Sequence, residues 1–63
     1  MGWTVMELKV KCKYNNGMIN DYLRLTPEVQ SSVYARGEYT IKFNDWCSKD
    51  RATQIINNIK ELI

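Results

Sequence analysis

Met6, Leu8, Val10, Cys12 and Tyr14 alternate without a break with Glu7, Lys9, Lys11 and Lys13. Side chains on a strand point to opposite faces in turn, so this period assigns one face to a core and one to water. The stretch from Met6 to Tyr14 therefore reads as a strand. The next residues, Asn15-Asn16-Gly17, carry a strong hairpin signal, because a type I′ turn needs positive φ at both central positions. With Asn16-Gly17 in the turn, counting places Tyr14 opposite Ile19, Cys12 opposite Asp21, Val10 opposite Leu23 and Leu8 opposite Leu25. Most of these pairs are apolar on apolar, on the face already assigned to the core. The same register sets Lys13 against Asn20, Lys11 against Tyr22 and Lys9 against Arg24 on the other face. The last pair sets like charges opposite one another, which destabilises a sheet.

Residues 26–37 admit two readings. Thr26-Pro27-Glu28 suits an N-cap, a proline at the first helical position and an acid in the first turn, and Gly37 suits a helix end. Val29 and Val33 are spaced four apart, as on one helical face. Ser31-Ser32-Val33-Tyr34 are mediocre helix formers, however, and Arg36-Gly37 could turn a second hairpin. That turn would set Tyr34 opposite Tyr39 but Ser32 opposite Ile41, a poorer apolar match. The pattern favours a short helix, with a meander strand as the alternative.

Tyr39, Ile41 and Phe43 alternate with Thr40 and Lys42, which predicts a strand over 38–44. Ser48 is a credible N-cap, with Asp50 placed at the positive end of the helix dipole. From there Ala52, Ile55, Ile56, Ile59, Leu62 and Ile63 fall within an arc of about 120° at 100° per residue. This amphipathic helix must lay its isoleucines on a sheet face, expected to be that of Leu8, Val10, Leu23, Leu25, Ile41 and Phe43. The expected fold is α+β: a small antiparallel sheet, made of an N-terminal hairpin and at least one further strand, with a C-terminal amphipathic helix packed on one face.

The length of 63 residues predicts a single domain over 1–63. Apolar residues make up 44% and charged residues 25%, too apolar a balance for disorder. No apolar run approaches the roughly 20 residues of a membrane span, and no signal segment precedes the first strand, so a cytoplasmic protein without a membrane partner is expected. A net charge of +2 does not by itself point to nucleic acid; placement must carry any such argument.

Little in the chain suggests catalysis. With no histidine, Cys12 and Cys47 have no ligand set for a Cys/His zinc site, and they belong to no CxxC. They read as small buried hydrophobes, or as a disulfide if the fold brings them together. The acids are scattered, and only Asp21 is expected near apolar surroundings. Cys47 lies near a helix N-terminus that would lower its pKa, but it lacks a base. No catalytic, metal or cofactor residue is therefore expected, and the chain is read as non-enzymatic.

Two constellations could hold a partner. The outer sheet face gathers Lys9, Lys11, Lys13, Tyr22, Arg24, Thr40 and Lys42, where lysines could neutralise phosphates and Tyr22 could stack on an unpaired base. Lysines on strands also deter edge pairing and keep small domains soluble. Trp3 and Trp46 are the second set, since tryptophan is enriched where proteins grip other proteins. Trp3 is equally suited to a half-buried lid on the core. In its size, its own Met1 and its lysine-, asparagine- and isoleucine-rich composition, the chain is similar in style, though in no motif, to small accessory proteins of phages and mobile elements. That likeness implies action by occupying a surface of a larger host protein, as an inhibitor or adaptor. A nucleic-acid-binding domain using the basic face, and a homo-oligomer closed by a strand edge or an exposed tryptophan, are the alternatives.

Overall fold

The computed structural model describes residues 6–63. Along the chain run β1 (Glu7–Lys11), α1 (Gly17–Arg24), β2 (Val29–Ala35), β3 (Glu38–Phe43) and α2 (Lys49–Leu62). The strands form one antiparallel sheet in the order β1-β3-β2. Both β1 and β2 oppose β3, so they run parallel to each other and α1 serves as their crossover. The α+β class and the C-terminal helix on one sheet face stand as the pattern implies.

The N-terminal hairpin does not form. Asn16 is instead the N-cap of α1, with extended backbone, and its Oδ1 accepts from the N–H groups of Met18 at 2.9 Å and Ile19 at 3.4 Å. Gly17 starts the helix and has no positive φ. The reason lies in the spacing of the apolar residues. Ile19 and Leu23 are four apart, a separation that keeps both on one face of a strand and also on one face of a helix. Tyr22 and Leu25 break the tie. A helix turns Tyr22 inward and Leu25 out, whereas a strand does the reverse. Tyr22 is half-buried and Leu25 is 76% exposed. Leu25 is thus not core, and Leu23 reaches the core from a helix. Asp21, expected near apolar side chains opposite Cys12, is exposed on α1 and pairs with Arg24 at 3.0 Å. The opposition of Lys9 to Arg24 falls with the register.

The same ambiguity resolves the other way at Val29 and Val33, which lie on a strand. The helix favoured over 26–37 gives way to the alternative, a hairpin of β2 and β3. Arg36 (φ 54°) and Gly37 (φ 74°) supply the two positive φ values of the turn. The register is Tyr34 opposite Tyr39 and Ser32 opposite Ile41. The weak Ser32–Ile41 match is tolerated because β2 is an edge strand, while the two tyrosine rings pack with centroids 4.9 Å apart. A bulge between Val29 and Ser31 leaves Gln30 as the extra residue. Thr26 still helps end α1, its Oγ1 donating to the carbonyl of Tyr22.

α2 forms as its sequence dictates. Ser48 Oγ accepts from Arg51 N–H at 3.1 Å, Asp50 lies in the first turn and Lys60 in the last. Ala52, Ile55, Ile56 and Ile59 are buried, Leu62 packs on the core's margin, and Ile63 is exposed. They meet Val10, Tyr39, Ile41 and Phe43 from the sheet and Ile19 and Leu23 from α1 in one core. Both helices therefore share one side of the sheet, with α1 over β2 and α2 over β1. Cys12 and Cys47 are buried free thiols, so the disulfide alternative does not hold.

Candidate functional site

The sheet side away from the helices is open to solvent, and its register orders the side chains into three rows. Glu7, Lys42 and Ser31 form one end, Lys9, Thr40 and Val33 the middle, and Lys11, Glu38 and Ala35 the end beside the Arg36-Gly37 turn. Glu7, Lys9, Lys11, Lys42, Ser31, Val33 and Ala35 are exposed, with Glu38 and Thr40 half-exposed.

This face is less basic than the chain pattern implied. Lys9, Lys11 and Lys42 lie on it as expected, but Tyr22 and Arg24 lie on α1, in the helical layer. The Tyr22 hydroxyl accepts from Asn58 Nδ2 at 3.0 Å, which fixes it to α2 and removes the expected stacking platform. Lys13 lies beyond the end of β1, near a shallow hollow bordered by Lys11, Cys12, Gly37 and Ile63. Two glutamates stand opposite two of the remaining lysines, Glu7 to Lys42 and Glu38 to Lys11. Neither pair closes to within 4.0 Å, but acids at facing positions weaken the positive field of these lysines. Lys9, facing Thr40, has no acid opposite it. The face thus mixes signs, with Glu7 and Glu38 at opposite corners of the three lysines, rather than presenting lysines alone.

Sequence reasoning missed Ser31, Val33, Ala35 and Glu38 as members of this face. The signal for the three β2 residues is the Tyr34–Tyr39 pairing, which the Thr-Pro-Glu helix start outweighs; Glu38 follows from its alternation with Thr40 and Lys42 on the strand over 38–44. Trp46 is 63% exposed in the turn before α2, away from the face rows. Trp3 lies outside the described residues.

The rest of the surface offers little reactive chemistry. An apolar cleft of about 340 Å³ lies between Met6, Leu8, Asn44, Asp45, Cys47, Lys49 and Thr53. Cys47 does not gain the lowered pKa anticipated from the helix start. Burial pushes its thiol up, with the Glu28 carboxylate adding to the rise and Arg51 opposing it, so the thiolate is disfavoured. Among the described residues no cluster of three or more His, Cys, Asp or Glu could hold a metal ion. No described helix is long and apolar enough to cross a membrane.

One ion pair ties the layers together. Arg51 Nε on α2 donates to Glu28 Oε2 at 3.1 Å, just before β2. A hydrogen bond from its own backbone, then the bond from Arg51, hold the Glu28 carboxyl below its ordinary value of 4.5. A depressed carboxyl stabilises the fold above its unfolded pKa, and that stability is lost as pH falls through the folded pKa. Glu28→Gln is therefore expected to flatten the dependence of the melting temperature on pH below about 4.5. Thermal melts of both chains between pH 6 and pH 3, in steps of about half a unit, check this. An unchanged slope would show that the pair contributes nothing.

Comparison with protein-family models, with curated proteins and with solved structures finds no match to this chain.

Proposed function

We propose that the chain is a non-enzymatic protein-binding module that acts by occupying a surface of a larger protein, as an inhibitor or adaptor. It grips through the helix-free face of its sheet. The observation that carries this reading is the charge order of that face. Three lysines share it with two glutamates at opposite corners, and a valine and a threonine stand in the middle row. A polyanion gains from uniform positive charge, because each phosphate neutralised releases counterions. A surface of mixed sign instead suits a partner that bears both signs itself, which selects register and excludes wrong partners. The loss of Tyr22 to the α2 contact removes the base-stacking element that a single-stranded nucleic acid would use. Trp46, exposed in the turn before α2, is a second grip outside the face.

Lys9→Glu reverses the middle row at an exposed position, where surface changes usually stay within about 0.5 kcal/mol of neutral. Tagged wild-type and Lys9→Glu chains are compared as baits in host lysate at about 0.15 M salt, with and without nuclease. Expected is a specific protein that survives nuclease and is lost from the Lys9→Glu bait. Loss of every partner on nuclease treatment, with steep salt dependence on a single-stranded oligonucleotide, would instead establish the nucleic-acid reading.

A further inference from the structure

The face has two borders, and they differ. β1 bears Glu7, Lys9 and Lys11 in five residues, whereas β2 spans Val29–Ala35 without a charged residue. Proteins blunt open strand edges with charge, above all lysine. β1 has that protection; β2 has only the bulge at its start. In the middle of β2, on the solvent face, stands Val33, 60% exposed.

The hairpin settles which backbone groups are free. In a two-residue turn the flanking residues, here Ala35 and Glu38, form the hydrogen-bonded pair. Alternation then aims the amides of Ala35, Val33 and Ser31 at β3, and those of Ser32 and Tyr34 at the open edge. The other side of β3 agrees, since Phe43 N–H donates to the carbonyl of Met6 at 2.9 Å. Ser32 is exposed although it belongs to the helix-side face, so α1, which lies over β2, leaves the edge uncovered at this position.

We propose that this edge pairs with the β2 of a second copy, antiparallel about a two-fold axis at Val33. In that register Ser32 of each copy meets Tyr34 of the other as a hydrogen-bonded pair, about four new backbone bonds in all. Val33 meets Val33 in the closer, non-hydrogen-bonded position, which covers the exposed valine. Ser31 meets Ala35, and no like charges oppose one another. A two-fold at Lys9 or Val10 of β1 would set lysine against lysine, whereas β2 has no charge to oppose in any register. A two-fold contact of β2 with β2 uses up that edge in both copies and gives a closed pair. The two outer faces then become one six-stranded surface, which presents the binding face of the proposed function twice.

The interface is small, so the pair is expected to form with rising concentration and is followed by sedimentation up to about 1 mM. Expected is a shift from one chain to two for the wild type. Val33→Lys sets like charges together at the axis, and Ser32→Pro removes a donor that faces only the open edge. Both should remain single chains while their circular dichroism stays that of the wild type. Val33→Cys supplies the positive test. Its two thiols would share the axis with Cα atoms about 4.5 Å apart, within disulfide reach, whereas the Cα atoms of two Ser31→Cys residues would lie about 14 Å apart. Mild oxidation should therefore link the Val33→Cys chain into a covalent pair and leave the Ser31→Cys chain unlinked, the native cysteines being buried. A wild type that stays a single chain at about 1 mM, or equal linking of both cysteine variants, would overturn the proposal. Lys9 lies two strands away, so failure of the face reading leaves this result unchanged.

Discussion

Ile59→Ala is expected to destabilise the fold by roughly 2–5 kcal/mol, since deleting a buried branch loses transfer free energy and leaves a cavity. Ile59 is fully buried in the middle of the single core, where α2 meets the sheet and α1. A chain of this length has a total stability on the order of 3–9 kcal/mol, so the change should consume most of it. Urea unfolding followed by far-ultraviolet circular dichroism gives the number. A midpoint within error of the wild type would mean that α2 is not held by this contact. Ile63→Ala serves as the control, because Ile63 is exposed and should cost little.

Asn16→Ala is the second large effect, expected at about 2–3 kcal/mol, more than an ordinary N-cap loss of about 1 kcal/mol. The excess arises because this cap is buried, at 3% exposure, and joins three parts of the fold. Its Oδ1 caps α1, while its Nδ2 donates to the Tyr14 hydroxyl and to the Leu62 carbonyl at the end of α2, each at 3.4 Å. Its backbone N–H donates to the Tyr39 hydroxyl at 2.8 Å, and that hydroxyl lies 2.8 Å from Asn20 Oδ1 as acceptor. Burial raises the Tyr39 pKa and keeps the hydroxyl protonated to serve both partners. Asn16→Asp separates the roles. It keeps the capping oxygen and loses the amide donor, so chemical denaturation should place it between wild type and Asn16→Ala. Equal losses for the two variants would show that capping contributes nothing and the cross-link everything.

Three elements were legible from neighbouring residues alone. In β1 the period of two read from Met6 to Tyr14 does give a strand, but only over Glu7–Lys11; the chain turns off before Tyr14, which the alternation would bury and which is 63% exposed. β3 repeats that period. α2 combines a serine cap, an acid in the first turn and isoleucines at helical spacing. Each has apolar positions at separations that only one period satisfies. The α+β class and the helix on one sheet face follow from those three, and so does the presence of Lys9, Lys11 and Lys42 on the outer side.

Residues 16–35 were different, for a reason that lies in the numbers. Their apolar side chains stand four apart, Ile19 with Leu23 and Val29 with Val33, and four is common to the strand and helix periods. Local turn chemistry then pointed the wrong way twice, since Asn-Gly can open a helix as well as turn a hairpin, and Thr-Pro-Glu can precede a strand. Only tertiary contacts decided the outcome. Tyr22 gains Asn58 of α2 by lying on a helix, and Tyr34 gains the ring of Tyr39 and the carbonyl of Cys12 by lying on a strand. Those long-range partners moved Tyr22 and Arg24 off the outer face and brought Val33 onto it. The chain's own pattern determined that a lysine-bearing sheet face would exist. Which residues surround those lysines, and which strand edge is left open beside them, was determined by packing between segments distant in sequence.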